Sequence, residues 1–158
     1  MKVTIYSDGS SLGNPGPGGY GSIIHFVDQK GEKHIREYSG GFSYTTNNRM
    51  ELMGAIVALE ALIKPCEVEL ISDSKYVTDA FNQKWIDNWQ KKNWKHTGTK
   101  MVPNTDLWKR LLAVVKKHKV TFVWVKGHNG HPENERCDEL ARTAAAQENL
   151  PLDQGMPL

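Results

Sequence analysis

The sequence is poor in cysteine, with two in 158 residues. Cys66 and Cys137 allow one bridge at most, so a disulfide-stapled scaffold is excluded, and reduced thiols in a cytoplasmic chain are the simplest expectation. Long apolar runs are missing as well. The most hydrophobic stretch, Met50 to Ile63, is broken by Glu51, Gly54 and Glu60, which rules out a membrane span. The opening residues give no export signal, since Met1-Lys2-Val3-Thr4-Ile5-Tyr6 alternates like a strand and meets Asp8 almost at once. A large excess of one charge is also lacking, the net formal charge being +2. Its distribution is uneven. Between Lys84 and Lys100 five lysines (84, 91, 92, 95 and 100) stand against Asp87, so that segment carries +4 and the remainder −2. A basic patch on a mildly acidic body suits a polyanion gripped at one place.

Repeats, low-complexity segments and linkers are absent too, which predicts a single domain over residues 1–158 with an irregular tail at 149–158. Strands are expected at 3–7, 20–27 and 33–39, the last two joined by the hairpin signal Asp28-Gln29-Lys30-Gly31. A turn-rich loop spans Gly9 to Gly19. Helix is expected from Arg49 to Lys64, ended by Pro65, and strand from Val68 to Ser72. Further helices are predicted at 74–81, 85–95, about 105–117 and 132–147, a loop at 96–103, and a last strand at 120–125. Three early strands that can pair antiparallel, then strands alternating with helices, predict an α/β fold: a five-stranded mixed sheet flanked by helices.

Four carboxylates occupy suggestive places. Asp8 and Asp73 each follow the C-terminal end of a predicted strand, where open α/β sheets place ligand sites. Glu51 is a lone charge in an otherwise apolar helical turn, and Asp138 lies early in the last helix. Acidic groups gathered without a matching cation repel one another, whereas an all-oxygen ligand set suits Mg²⁺. Two such ions can ready a water and stabilise the leaving oxygen of a phosphodiester. Blander roles fit each residue singly: Glu51 in a capping box opened by Asn48, Asp8 in a turn, Asp138 paired with Arg142 four residues on. Spacing alone leaves both possibilities open.

The strings Ser7-Asp8-Gly9-Ser10, Leu12 to Gly21 (LGNPGPGGYG), Thr45 to Met53 (TTNNRMELM), Ser72-Asp73-Ser74 and Val125 to Arg142 (VKGHNGHPENERCDELAR) follow one another in a distinctive order. In order and spacing they resemble the bacterial type 1 ribonucleases H, from Asp8 to about residue 147. The resemblance implies a ribonuclease H-like fold and a monomeric, Mg²⁺-dependent endonuclease, Mn²⁺ being a possible substitute. It would cut the RNA strand of RNA–DNA hybrids by a two-metal mechanism, leaving 5′-phosphate and 3′-hydroxyl ends. By the same resemblance Asp8, Glu51, Asp73 and Asp138 are the metal ligands. His128, in a loop between Gly127 and Gly130, matches a histidine assigned to water activation or product release, and an imidazole titrating near neutrality can relay protons.

Hybrid binding is expected from several segments. Trp85, Trp89 and Trp94 lie among the lysines of the basic stretch, where rings beside cations suit sugar and phosphate contacts; packing against the domain is the other role open to each. The resemblance places this stretch as a basic protrusion over the DNA strand, with Trp85 lining the channel and Lys91, Lys92, Trp94 and Lys95 in the same contact region. Telling RNA from DNA rests on the 2′-hydroxyl. Gly9, Ser10 and Ser11 beside Asp8, with Asn14, Asn47 and Asn48 near Glu51, supply short polar readers. The resemblance assigns Asn14, Asn47 and Asn48 to the minor groove, and Thr46 and Asn104 to a DNA phosphate. Tyr44 stands where relatives often carry a phosphate-binding arginine, and Lys75 where they often carry glutamine near the RNA strand. A nuclease of this fold acting on branched DNA, and a non-catalytic hybrid-binding module, are the rival readings.

Overall fold

The computed structural model describes residues 1–127 and 129–157. The chain runs β1 (Lys2–Ser11), β2 (Gly16–Val27), β3 (Lys33–Thr45), α1 (Asn47–Glu60), β4 (Glu67–Ser72), α2 (Lys75–Asn82), α3 (Trp85–Lys91), β5 (Lys95–Thr97), β6 (Lys100–Met101), α4 (Thr105–Val115), β7 (Lys119–Trp124) and α5 (Pro132–Ala145). Five strands form one sheet in the order β3-β2-β1-β4-β7, while β5 and β6 make a separate small hairpin. β1, β2 and β3 pair antiparallel; β4 and β7 add in parallel beside β1. The mixed sheet expected from the sequence is therefore present.

Helix α1 is the centre of the core. Residues Met50, Leu52, Ala55, Ile56, Ala58 and Leu59 are fully enclosed, as a helix apolar on every side must be. It lies on β1 and β2 and is backed by α4. Helix α5 packs on β2, β1 and β3. On β2, Ser22 donates to the Gly54 carbonyl of α1 at 2.5 Å, while neighbouring Gly21 meets the α5 backbone at Cys137. Since successive strand residues point to opposite faces, α1 and α5 clasp the sheet from its two sides.

Glycine explains where the strand boundaries move. The expected loop from Gly9 to Gly19 is mostly strand: β1 continues to Ser11 and β2 begins at Gly16, leaving a turn over residues 12–15. A Cβ on Gly19 would sit 2.7 Å from the Ala145 nitrogen and 2.9 Å from the Ala144 Cβ. These glycines serve close backbone packing, which in the sequence looks the same as turn chemistry. β3 likewise extends past Ser39 to Thr45. Gly54 is buried inside α1, where a Cβ would lie 3.0 Å from the Asp8 carbonyl oxygen, so its absence of side chain lets the helix approach β1.

The expected helix over 85–95 stops at Lys91, because Asn93 and Trp94 take positive φ values of 53° and 64° and turn the chain. That reversal sends the Trp94 ring inward and starts the β5–β6 hairpin in what the sequence presents as a loop. Cys66 and Cys137 are both buried free thiols. The tail is irregular and docked: Ser43 N–H donates to the Pro151 carbonyl at 2.9 Å, and Asp153 reaches Arg49. No described helix is long and apolar enough to cross a membrane.

Candidate active site

Register builds the site. Ser7 stands opposite Ser72 in the parallel β1–β4 ladder, so Asp8 and Asp73, one residue later, leave the same edge of the sheet side by side. Helix α1 brings Glu51 to them. The helix starts at Asn47 with Thr46 as its cap, the Thr46 hydroxyl accepting from the Arg49 N–H at 3.2 Å. Asn48 lies inside the helix, so Glu51 is not the acid of a capping box opened there. Gly9 completes the approach: a Cβ on it would collide with the Met50–Glu51 backbone.

Carboxylate oxygens of Asp8, Glu51 and Asp73 lie within 4.8 Å of one another. Burial, then the neighbouring charge of Asp73, pushes the Asp8 carboxyl up to about 7. Burial and the Asp8 and Asp73 charges also raise Glu51 well above the usual carboxylate range. Glu51 Oε2 is buried and has no hydrogen-bond partner among the described residues. Buried oxygens held this way call for a cation. An all-oxygen donor set on three different elements fits a hard divalent ion, which is held by carboxylates and its own waters.

Asp138 stands apart from that trio. Its carboxylate accepts from Arg142 Nε at 2.9 Å, the i, i+4 pair that the sequence also allows. Its charge nevertheless contributes to raising Asp8, so it borders the site. His128 lies outside the described residues. Its neighbour Gly127 presses on the site, where a Cβ would sit 2.6 Å from Asp73 Oδ2.

The structure groups the other expected residues into three sets. Asn14 Oδ1 accepts from the Asn47 N–H at 3.0 Å, which seats the β1–β2 turn against the first turn of α1 and brings Asn14, Thr46, Asn47 and Asn48 together beside Glu51. Ser10 is half-buried at the end of β1 and Gly9 is buried. Asn104 is tied to Arg49 and to Tyr76: its Oδ1 accepts from Arg49 Nη1 at 3.3 Å and its Nδ2 donates to Tyr76 Oη at 2.9 Å.

The aromatic stretch divides. Trp85 is exposed together with Lys91, Lys92 and Lys95. Trp89 is partly buried 5.1 Å from the Trp108 ring, and Trp94 is 8% exposed, 6.1 Å from Trp89. Trp94 thus packs the protrusion onto the domain, the second of the two roles that the sequence leaves open to it. Its inward turn follows from the positive φ values at Asn93 and Trp94, of which asparagine favours that conformation and tryptophan does not.

Trp124 was not legible in the sequence as a site residue. Its indole N–H donates to the Asp73 carbonyl at 3.0 Å, and Lys75 Nζ lies 4.6 Å from its ring centre. It anchors the Asp73 turn and holds Lys75 by a cation–π contact. The only signal was its place at the end of a strand parallel to that of Asp73.

A comparison with protein families matches the RNase H model to residues 1–146. The chain belongs to the RNase H family. It is 64% identical over 154 residues to Ribonuclease H of Lachnoclostridium phytofermentans, covering 97% of this chain and 98% of that one. Among solved structures, this RNase H resembles LC9-RNase H1, a type 1 RNase H with the type 2 active-site motif, at TM-score 0.82 and 33% identity, over 91% of this chain and 72% of that chain. LC11-RNase H1, solved in complex with RNA/DNA hybrid, superposes at TM-score 0.65 and 26% identity, over 90% of this chain and 96% of that chain.

Proposed function

We propose that this chain is an endonuclease that hydrolyses the RNA strand of RNA–DNA hybrids, with Asp8, Glu51 and Asp73 as ligands of divalent metal and Asp138 completing the site. The observation that carries the reading is the convergence of three carboxylates within 4.8 Å, one oxygen of Glu51 buried and unpartnered among the described residues, in a chain of the RNase H family. Family relatives named Ribonuclease H, and the hybrid complex of LC11-RNase H1, support the substrate.

Asp8, Glu51 and Asp73, with Asp138, would hold Mg²⁺, which suits their oxygen donors, with Mn²⁺ as a substitute; bound there in a pair, such ions would supply activation of water and offset charge on the leaving oxygen. The protein's own residues do the rest. A cation there would draw the protons from the raised carboxyls of Asp8 and Glu51 and be held by them together with Asp73, and Asp138 would turn from Arg142 toward the site. Asn14, Asn47 and Asn48 read 2′-hydroxyls from the minor-groove side. Thr46 and Asn104 hold a DNA phosphate, Lys75 lies toward the RNA strand, and Trp85, Lys91, Lys92 and Lys95 grip the DNA backbone. His128 relays protons. Cleavage leaves a 5′-phosphate and a 3′-hydroxyl. The enzyme acts as a monomer in the cytoplasm, where its two buried thiols stay reduced.

The test is metal add-back with end-group analysis. Chelator-treated protein is given an end-labelled hybrid with increasing Mg²⁺ or Mn²⁺. Cutting restored by either ion, with 5′-phosphate products, is the expected result. Metal-independent cutting that leaves 2′,3′-cyclic phosphates would overturn the reading.

A further inference from the structure

Arg49 is the most deeply enclosed cation described, its residue 2% exposed although the guanidinium is charged. Two carboxylates enclose it. Asp106, in the first turn of α4, takes Nη1 at 2.9 Å and Nη2 at 2.7 Å. Asp153, from the tail, takes Nε at 2.7 Å and Nη2 at 3.0 Å, and also accepts from the Thr45 hydroxyl at 2.6 Å. Two forked pairs on one guanidinium fix its plane and position. Gly155 lies flat over the arrangement, and a Cβ there would collide with Asp106 Oδ2 and Arg49 Nη2.

Arg49 bonds to both residues of the proposed DNA-phosphate pocket, to Thr46 through its backbone and to Asn104 through its guanidinium. Its backbone N–H is capped by Thr46 Oγ1. Its Nη1 donates to Asn104 Oδ1, which settles the orientation of the Asn104 amide. Asn104 Nδ2 then donates to Tyr76 Oη, and the half-buried amide has a second N–H to offer. Asn104 stands at the start of α4 in a left-handed conformation, φ 62°, and its side chain makes no cap bond to the helix, so its bonds to Arg49 and Tyr76 are the ones that orient it among the described residues.

We propose that Asp153 is a positioning residue for hybrid binding: by clamping the Arg49 guanidinium from the tail it sets Asn104 for one DNA phosphate, and by accepting from the Thr45 hydroxyl it holds the strand end beside Thr46, which makes the 151–155 segment part of the binding apparatus. The inference rests on the proposed RNase H activity. Losing the clamp leaves the carboxylate trio untouched, so substrate affinity falls while the cutting step is spared.

The test compares wild type, Asp153→Ala, Asp153→Asn and Gly155→Ala on a hybrid, and on the same hybrid with one DNA phosphate at a time replaced by neutral methylphosphonate. Gly155→Ala displaces the tail while keeping every charge. Assays run well below each variant's melting temperature. The expected result is a KM raised about fivefold to tenfold, with kcat within about twofold, in Asp153→Ala and Gly155→Ala, and a smaller rise in Asp153→Asn. One methylphosphonate position should weaken wild type but cost the variants little more. Lower melting temperatures with unchanged KM, or a methylphosphonate penalty of equal size in all proteins, would overturn the proposal. Wild type that cuts no hybrid at all would instead count against the activity on which it rests.

Discussion

The carboxylates of Asp8 and Glu51 are pressed together beside Asp73 at the sheet edge, where burial and then the charge of Asp8 make Glu51 costly to ionise. Replacing Asp8 by Asn should therefore stabilise the metal-free protein at pH 8, by on the order of 1 kcal/mol, because a like charge is removed from a buried cluster. Mg²⁺ should raise the melting temperature of wild type and leave that of Asp8→Asn nearly unchanged. Urea unfolding in chelator, followed by melting scans with Mg²⁺, checks both halves.

Acid should unclasp the tail. The Arg49 guanidinium beside Asp106 holds that carboxyl below the usual range, and Asp153 is lowered in the same way despite its burial. A carboxyl whose folded pKa lies below its unfolded value, near 3.9, contributes stability fully present above that value. The contribution is lost as pH falls through the folded pKa. Wild type should then lose more melting temperature between pH 5 and pH 2 than Asp153→Asn does. Parallel curves for the two proteins would show that the pair contributes nothing to folding.

Breaking the same cluster from its centre should be costly. Arg49→Ala leaves Asp153 half-enclosed without its partner, for which about 3–5 kcal/mol is typical of a buried pair. Chemical denaturation measures this directly.

A methyl group at Gly21 should disturb both fold and site. The Cβ would meet the Cys137 carbonyl and lie 2.6 Å from the Leu140 Cβ, so α5 must move away from β2. Overpacking of this kind costs about 1–3 kcal/mol. Asp138 sits on the displaced turn, and cleavage at a temperature where the variant is folded should fall as well.

The basic protrusion should set salt dependence more than turnover. Changing Lys91, Lys92 and Lys95 together to Ala should flatten the slope of log affinity against log salt by roughly 0.7–0.9 for each phosphate that is no longer neutralised. Binding titrations at several salt concentrations, with kcat measured alongside, separate the two effects.

How much of this was legible in the sequence depended on the kind of information involved. Alternation and periodicity located the five strands of the sheet and the main helices, and the motif order pointed to the family that the matches then showed. Asp8, Glu51 and Asp73 were legible because strand ends and an isolated charge in an apolar helix are local signals. Their convergence depends on the Ser7–Ser72 register, a pairing between distant segments. Gly19 read as a turn residue because close helix packing and turning both select glycine. Trp94 read as either a contact or a packing residue because its inward turn is set by backbone angles rather than by composition. The Arg49 clamp joins residues 49, 106 and 153, a separation that no local pattern spans.

The most direct test incubates wild type and Asp8→Asn with Mg²⁺ and matched RNA–DNA, RNA–RNA and DNA–DNA duplexes, following the length of every strand. The account predicts cleavage of the RNA strand of the hybrid alone, absent in Asp8→Asn. Cutting of the DNA duplex, or hybrid cleavage that survives loss of the Asp8 carboxylate, would contradict it.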